Sequence, residues 1–501
     1  MRDEADHTRR WLINASGVAI LSGAIPATAL HAQTAAAPPP DAAAQAAVDP
    51  VSVSPAATAL ADYVAGALDR ALPAEVVART KLHVLDTLAA MVSGSRLKPG
   101  DLAARYVDSI GGKPQAMVIG TGIVTSAVNA ALANAMAAHA DETDDTNPIG
   151  PVHLGCGAVS AALATAELAG RSGQDLLRAV TLAYDVGVRM VSALGVGQGS
   201  RQHSPSCLMT TFVAAAAAAA MLRLDQRQVR HTFSYAAQQA SGIGIWTRDR
   251  EHVEKAFDFG GMGARNGVMA ATMVAMGFSA VEDPFSGAEN IYTSLGDKPT
   301  PEKLLAELGS SYAVFGTTIK KWTVGAPLQS VLDSLAALLE DPGVRADNIK
   351  HISVDMPTAS VRIVDNSPIP DLCLQHLVAL MIVDRGATFA SVHDVARMSD
   401  PRVLAVRKLV ELVPSQALQM AVPARQAIVR IETADGRSLS HRTQVVRGTA
   451  RNPMDAREVE AKALDLMAPV VGADRAHALI AAVGDLERLG PVSGLRRLLQ
   501  A

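Results

Sequence analysis

Cysteine, aromatic side chains and charge are all scarce in this 501-residue chain, and each shortage narrows the possible functions. Cys156, Cys207 and Cys373 lie far apart, are odd in number and form no CxxC, which argues against a disulfide framework or a zinc knuckle. Charged residues make up 19% of the chain and the formal net charge is −4, so composition makes no general case for nucleic-acid binding. The sequence holds no P-loop, no GxSxG elbow and no HExxH zinc motif. Its most apolar N-terminal run, Ile13 to Leu30, is short and broken by Gly and Pro, which excludes a permanent membrane span there. Aromatics at 3% beside 49% hydrophobic residues imply a core of small side chains, the kind that lets helix axes approach closely.

What the chain does contain begins with an export pattern. Thr8-Arg9-Arg10-Trp11-Leu12 precedes the apolar run, which ends in Leu30-His31-Ala32; residues 1–32 read as a twin-arginine signal peptide cleaved after Ala32, and hence as a periplasmic protein. An Ala/Pro-rich linker follows over 33–53. From 54 to 304 apolar residues recur at three- and four-residue spacing, punctuated by Pro and Gly, and predict an all-helical domain. Over 305–455 the period changes. HISVDMPTASVRIVD reads as a strand and AIVRIETADGRSLSHRTQVV as a hairpin about its ADGR turn, with helices at LCLQHLVALMIVD and DPRVLAVRKLVELV between them. Residues 456–501 are helical again and are expected to return to the large domain. The fold class is therefore mainly α: a large all-helical domain with a second, smaller α+β domain.

One stretch carries unusual polarity. AHADETDDTNPIGPVHLG places four acidic side chains, Asp141, Glu142, Asp144 and Asp145, within five positions and a histidine shortly after. Such a charge run ordinarily reads as a solvated helix end. It lacks the spaced oxygen ligands and glycine turn of a calcium loop, so no metal is assigned to it.

Several segments, in order, resemble the MmgE/PrpD family, which includes 2-methylcitrate dehydratases and cis-aconitate decarboxylases. They are LPAEVVARTKLHVLDTLAAMVSG, VIGTG, SAVNAALANAMAAHADETDDT, HLGCGAVSAALATAE, YDVGVRM, the segment around Lys255, and GTARNPM. The likeness spans roughly residues 55–480. It implies a pocket between the two domains, a homodimer, and action on a small di- or tricarboxylate without metal or organic cofactor.

The same resemblance implies the site. His153 matches the family's active-site histidine, and an imidazole near its ordinary pKa can exchange a proton at neutral pH. Lys255 and Lys320 match lysines that would meet the substrate's carboxylates, with Lys321 an alternative to Lys320. Asp144, Asp145 and Thr146 match the family's DDT; the acidic group is expected to brace the loop that delivers His153 and to tune the basic groups. Glu142, Thr146, His203, Gln239, Arg265 and Trp322 are expected to line the pocket and bind substrate. Departures from the family pattern are Glu142 for an Asp, Thr143 for an aromatic, one additional residue before His153, and Gly325 where some members have a catalytic His. The expected activity is that of a cofactor-independent, dehydratase-like lyase (a hydro-lyase). Alternatives are a decarboxylase or isomerase of an unsaturated acid, and a non-catalytic periplasmic carboxylate-binding protein.

Overall fold

A computed structural model describes residues 52–150, 152–197 and 203–500, so the stretch expected to be a signal peptide and nearly all of the expected linker fall outside the described residues. Ser54 accepts the Ala57 amide and opens the helix Pro55–Ala65, with proline at a position where no amide is needed. The helices Ala74–Gly94, Lys98–Ile110, Ala127–Ala138, Gly155–Ala169, Gly173–Leu194, Pro205–Met221, Gln226–Gln239 and Met262–Ala275 follow. One ladder of two-residue strands, Ala116–Met117 against Val124–Thr125, interrupts them.

The scarcity of large side chains has a direct structural use. Ala214 to Ala220 are all buried in Pro205–Met221, against which Met262–Ala275 packs. A Cβ on Gly267 would stand 2.4 Å from the Ala215 amide nitrogen, so these two helices meet backbone to backbone. Small residues thereby replace aromatic bulk with close approach.

The smaller region has its own core, centred on Leu328, Val331, Ile352, Val354, Leu377 and Val429, distinct from that of the helices. Its four-stranded sheet runs in the order Val410–Ser415, Ile349–Pro357, Ala427–Thr433, Ser438–Thr443. The first pair is parallel and the others antiparallel. A large helical region beside a smaller α+β region is the fold class expected from periodicity. Two details differ. HISVDMPTASVRIVD is a strand only to Pro357, after which Thr358–Val364 is helical. DPRVLAVRKLVELV divides into the helix Pro401–Arg407 and the strand Val410–Ser415. There, pairing with the central strand overrides a spacing that suited a helix.

The C-terminal helix Ala456–Val471 packs on Ala74–Gly94, so the tail does return to the helical region. Within that contact the ammonium of Lys462 donates to Asp86 Oδ1 at 2.7 Å and to the Thr143 carbonyl at 3.0 Å. A helix late in the sequence thus touches the acidic stretch directly.

Candidate active site

The acidic stretch follows Ala127–Ala138 and is not the solvated helix end that its charge run suggests: every residue from Asp141 to Asn147 is buried. Burying four carboxyl groups demands partners, and each has a different set. Asp141 accepts both the amide and the hydroxyl of Thr143 and faces His393 Nε2 at 2.9 Å. Glu142 is paired with Lys255 and lies 3.9 Å from the ammonium of Lys320. Asp144 Oδ1 accepts Nδ1–H of His153 at 2.9 Å and of His139 at 3.0 Å. Asp145 accepts the Gly155 amide, bonds to His83 Nδ1 at 2.8 Å and accepts the Tyr184 hydroxyl.

Backbone pairing explains how these groups converge. Thr146 and Thr318 exchange hydrogen bonds of 3.0 and 2.9 Å, tying the acidic loop to the segment that carries Lys320 two residues later. Asn147 and Val152 also pair with each other, so the loop folds back and presents His153 to Asp144. Lys320 is wholly buried; its ammonium donates to the Glu142 carbonyl at 2.6 Å and stands 3.9 Å from Asp144 Oδ1. Lys321 lies instead over the Trp322 ring.

Lys255 enters from the first turn of Val253–Ala256 and lies 5.0 Å from the centre of the Phe259 ring and 5.4 Å from that of Trp246. A π-helical turn, Phe257–Gly261, separates this turn from Met262–Ala275. Such wide turns often accompany functional sites. Here Phe259, within the turn, stacks on His139 with centroids 4.6 Å apart.

Burial and the fixed charges set the ionisation states. Although burial pushes Asp144 up, His139 and His153 hold its carboxyl well below the usual range. Glu142 is likewise held low against burial, by Lys255 and Lys320. Burial drives His153 down to about 4, opposed by Asp144 and assisted by Lys320. At neutral pH His153 is therefore a neutral imidazole whose Nδ1 proton points at Asp144. Its Nε2 makes no hydrogen bond among the described residues and is available to accept a proton.

His139, Asp144 and His153 offer ligand atoms within 4.8 Å of one another, the spacing at which a cation could be considered. Their contacts suit hydrogen bonding better. Both imidazoles direct Nδ1 to the same carboxylate oxygen, and Lys320 already supplies a positive charge beside it. A transition metal would need deprotonated nitrogens at about 2.0–2.1 Å.

The other residues expected from the sequence lie elsewhere. Gln239 donates to the carbonyls of Tyr235 and Asn266, and Arg265 donates to the Asn266 side chain; neither contacts the His153 group. Trp322 donates Nε1–H to Asp333 at 2.9 Å and packs on the α+β core. His203 is half-buried, next to Ser204, whose hydroxyl donates to Asp258. Gly325 faces the α+β core: a Cβ there would stand 2.4 Å from a Leu372 methyl, leaving no room for an imidazole without repacking.

Sequence reasoning passed over His139 and His252, which stack near the catalytic candidates, and His393 and Asp371 at the junction with the α+β region. His139 stood in the acidic stretch itself; nothing local marks the others. His393 Nδ1 donates to the Phe389 carbonyl while Nε2 faces Asp141, so both nitrogens carry protons. Burial lowers its pKa, but Asp141 and Asp371 outweigh this and raise it to about 9. A raised folded-state pKa contributes stability in full below the unfolded value near 6.5, lost as pH rises through about 9. His393→Gln should accordingly lower the melting temperature at pH 7. The difference from wild type should shrink as thermal scans are carried through pH 9, and a constant difference would refute the ionic contribution.

Taken together, these features define a two-part protein whose polar site is assembled where a helical region meets an α+β region. The model of the MmgE/PrpD N-terminal domain matches residues 58–304, and that of the MmgE/PrpD C-terminal domain matches residues 322–488. The chain belongs to the MmgE/PrpD family. It is also 26% identical over 266 residues to a protein of Aspergillus oryzae (strain ATCC 42149 / RIB 40) named cis-aconitate decarboxylase-like protein oryM. That match spans 50% of this chain and 54% of the relative, about half of each.

Proposed function

We propose that the protein is an enzyme acting on a small di- or tricarboxylate, and specifically a lyase of dehydratase type that needs no cofactor. The observation that carries this reading is the His153–Asp144 pair: a neutral imidazole, fixed by a buried carboxylate, beside the cationic side chains of Lys320 and Lys255. His153 Nε2 removes a carbon-bound proton next to a substrate carboxylate. The C–H electrons form the new double bond, the C–O bond breaks, and the hydroxyl departs as water with the proton that His153 has just taken up. Lys255, whose side chain retains some exposure, meets the carboxylate and stabilises the charge that develops on it.

A decarboxylase is the second reading, supported by the name of the Aspergillus relative. In that case the bond to a carboxylate breaks, carbon dioxide leaves, and the resulting carbanion takes a proton relayed from solvent through the Nε2 of neutral His153. Purified wild type and His153→Ala, incubated with a panel of hydroxy- and unsaturated di- and tricarboxylates and analysed by mass spectrometry, separate the two. Loss of water supports the lyase, loss of carbon dioxide the decarboxylase, and no His153-dependent turnover overturns both. The export pattern fits a periplasmic site of action; Arg9→Lys with Arg10→Lys should leave uncleaved precursor in the cytoplasm, and normal cleavage would refute it.

A further inference from the structure

We propose that a cavity outside the His153 group is a binding site for inorganic phosphate. It lies where the helix Gly173–Leu194 faces the loop between Pro301 and Ala313. Asp185, Arg189 and Ser192 line it from one face of the helix, and Lys303, Ser311 and Ala313 from the loop. Its volume is about 200 Å³. At about 30 Å³ per water that is room for about seven waters, and hence for a small tetrahedral oxyanion. Among the described residues, none of these six bonds to His153, Lys255 or Lys320.

The charges favour an anion. Arg189 is buried, and a buried cation ordinarily has a carboxylate partner. Here Nη1 donates to the carbonyls of Leu304 and Ala306, and Nη2 to that of Glu307 at 3.0 Å. Carbonyls solvate the guanidinium but supply no counter-charge. Its Nε is buried and has no hydrogen-bond partner among the described residues. Asp185, one turn earlier, is engaged elsewhere: Oδ1 accepts the Ala313 amide at 2.6 Å and Oδ2 the Tyr63 hydroxyl at 2.7 Å. Lys303 is exposed at the mouth and forms no ion pair among the described residues. Two cations thus face one carboxylate whose oxygens are already used. The hydrogen-bonding groups then select among anions. Arg189 Nε, the Lys303 ammonium and the Ser311 hydroxyl are donors. Ser192 gives its hydroxyl proton to the Val188 carbonyl at 2.7 Å, so toward the cavity its oxygen only accepts. Inorganic phosphate at neutral pH has oxygens for the three donors and keeps a proton for Ser192. Sulfate and carboxylates carry no such proton, and a phosphomonoester largely loses it above its second pKa of about 6.

The test titrates the purified protein with inorganic phosphate by isothermal calorimetry, with sulfate as the comparison. Wild type should bind phosphate saturably and roughly tenfold more tightly than sulfate, the scale of one hydrogen bond to a charged group. Lys303→Gln changes an exposed side chain and should weaken phosphate binding by roughly tenfold or more. Ser192→Ala removes the acceptor and should bring phosphate and sulfate to within about threefold of each other. Lys255→Met should leave phosphate affinity as it is in wild type. The site is overturned if wild type shows no saturable binding or if Lys303→Gln binds phosphate as tightly as wild type. It is also overturned if Lys255→Met is the change that weakens binding, since the anion then sits at the catalytic lysines. Sulfate bound as tightly as phosphate by wild type, or a preference for phosphate that survives Ser192→Ala, overturns the assignment of phosphate.

Discussion

Replacing Asp144 by Asn should lower kcat by about 10²- to 10⁴-fold, the usual range for general acid–base catalysis, with KM little changed. The carboxylate accepts Nδ1–H from both His153 and His139, and it alone fixes which nitrogen of His153 carries the proton. An amide of the same shape can turn its NH₂ toward His153 Nδ1. That moves the imidazole proton to Nε2, where a base must be bare, and the general principle is familiar from serine hydrolase triads. His153→Ala should cost at least as much. The pH profile gives an independent check. In the wild type, kcat/KM should hold from neutral pH downward and fall as the solution passes about pH 4, where His153 takes up its proton. Asp144 is the group that raises the pKa of His153 against burial, so its loss should move the acid limb of any residual activity to lower pH. A limb that moves upward, or a kcat within about threefold of wild type, would exclude the proposed role.

Lys462→Met should destabilise the fold by about 3–5 kcal/mol, measured by denaturant titration. Lys462 and Asp86 are both buried, and Asp86 Oδ2 already lacks a hydrogen-bond partner. Removing the ammonium strands that carboxylate and also frees the Thr143 carbonyl. Burial raises the pKa of Asp86 even with Lys462 in place; without it, the group folds most cheaply in its protonated form. The double variant Lys462→Met/Asp86→Leu removes both charges and should recover most of the loss. A single variant as stable as wild type would show that water or rearrangement replaces the lysine.

Much of the fold was legible because each helix repeats its apolar residues over several turns; the ADGR hairpin was legible because its turn residues sit between alternating strands. The strand Val410–Ser415 was not, since its identity depends on a partner about sixty residues earlier in sequence, at Ile352–Pro357. At the site, His153, Lys255, Lys320 and Asp144 drew notice through motif order, and the structure brings them into one group. Gln239, Arg265 and Trp322 were equally suggestive in their segments but point to other neighbours. His252 and His393 carry no local pattern at all; their proximity to the acidic stretch exists only after the chain has folded. The burial of that stretch was likewise invisible, because charge density alone suggests solvent.

The Lys462 contact also imposes an order in time. The acidic stretch leaves the ribosome long before the helix Ala456–Val471, so a nascent chain must hold Asp86 and the Thr143 carbonyl without their cation until that helix has been made. The catalytic candidates nearest that stretch acquire their final support only when this late helix docks, so the site waits on a segment far from it in sequence.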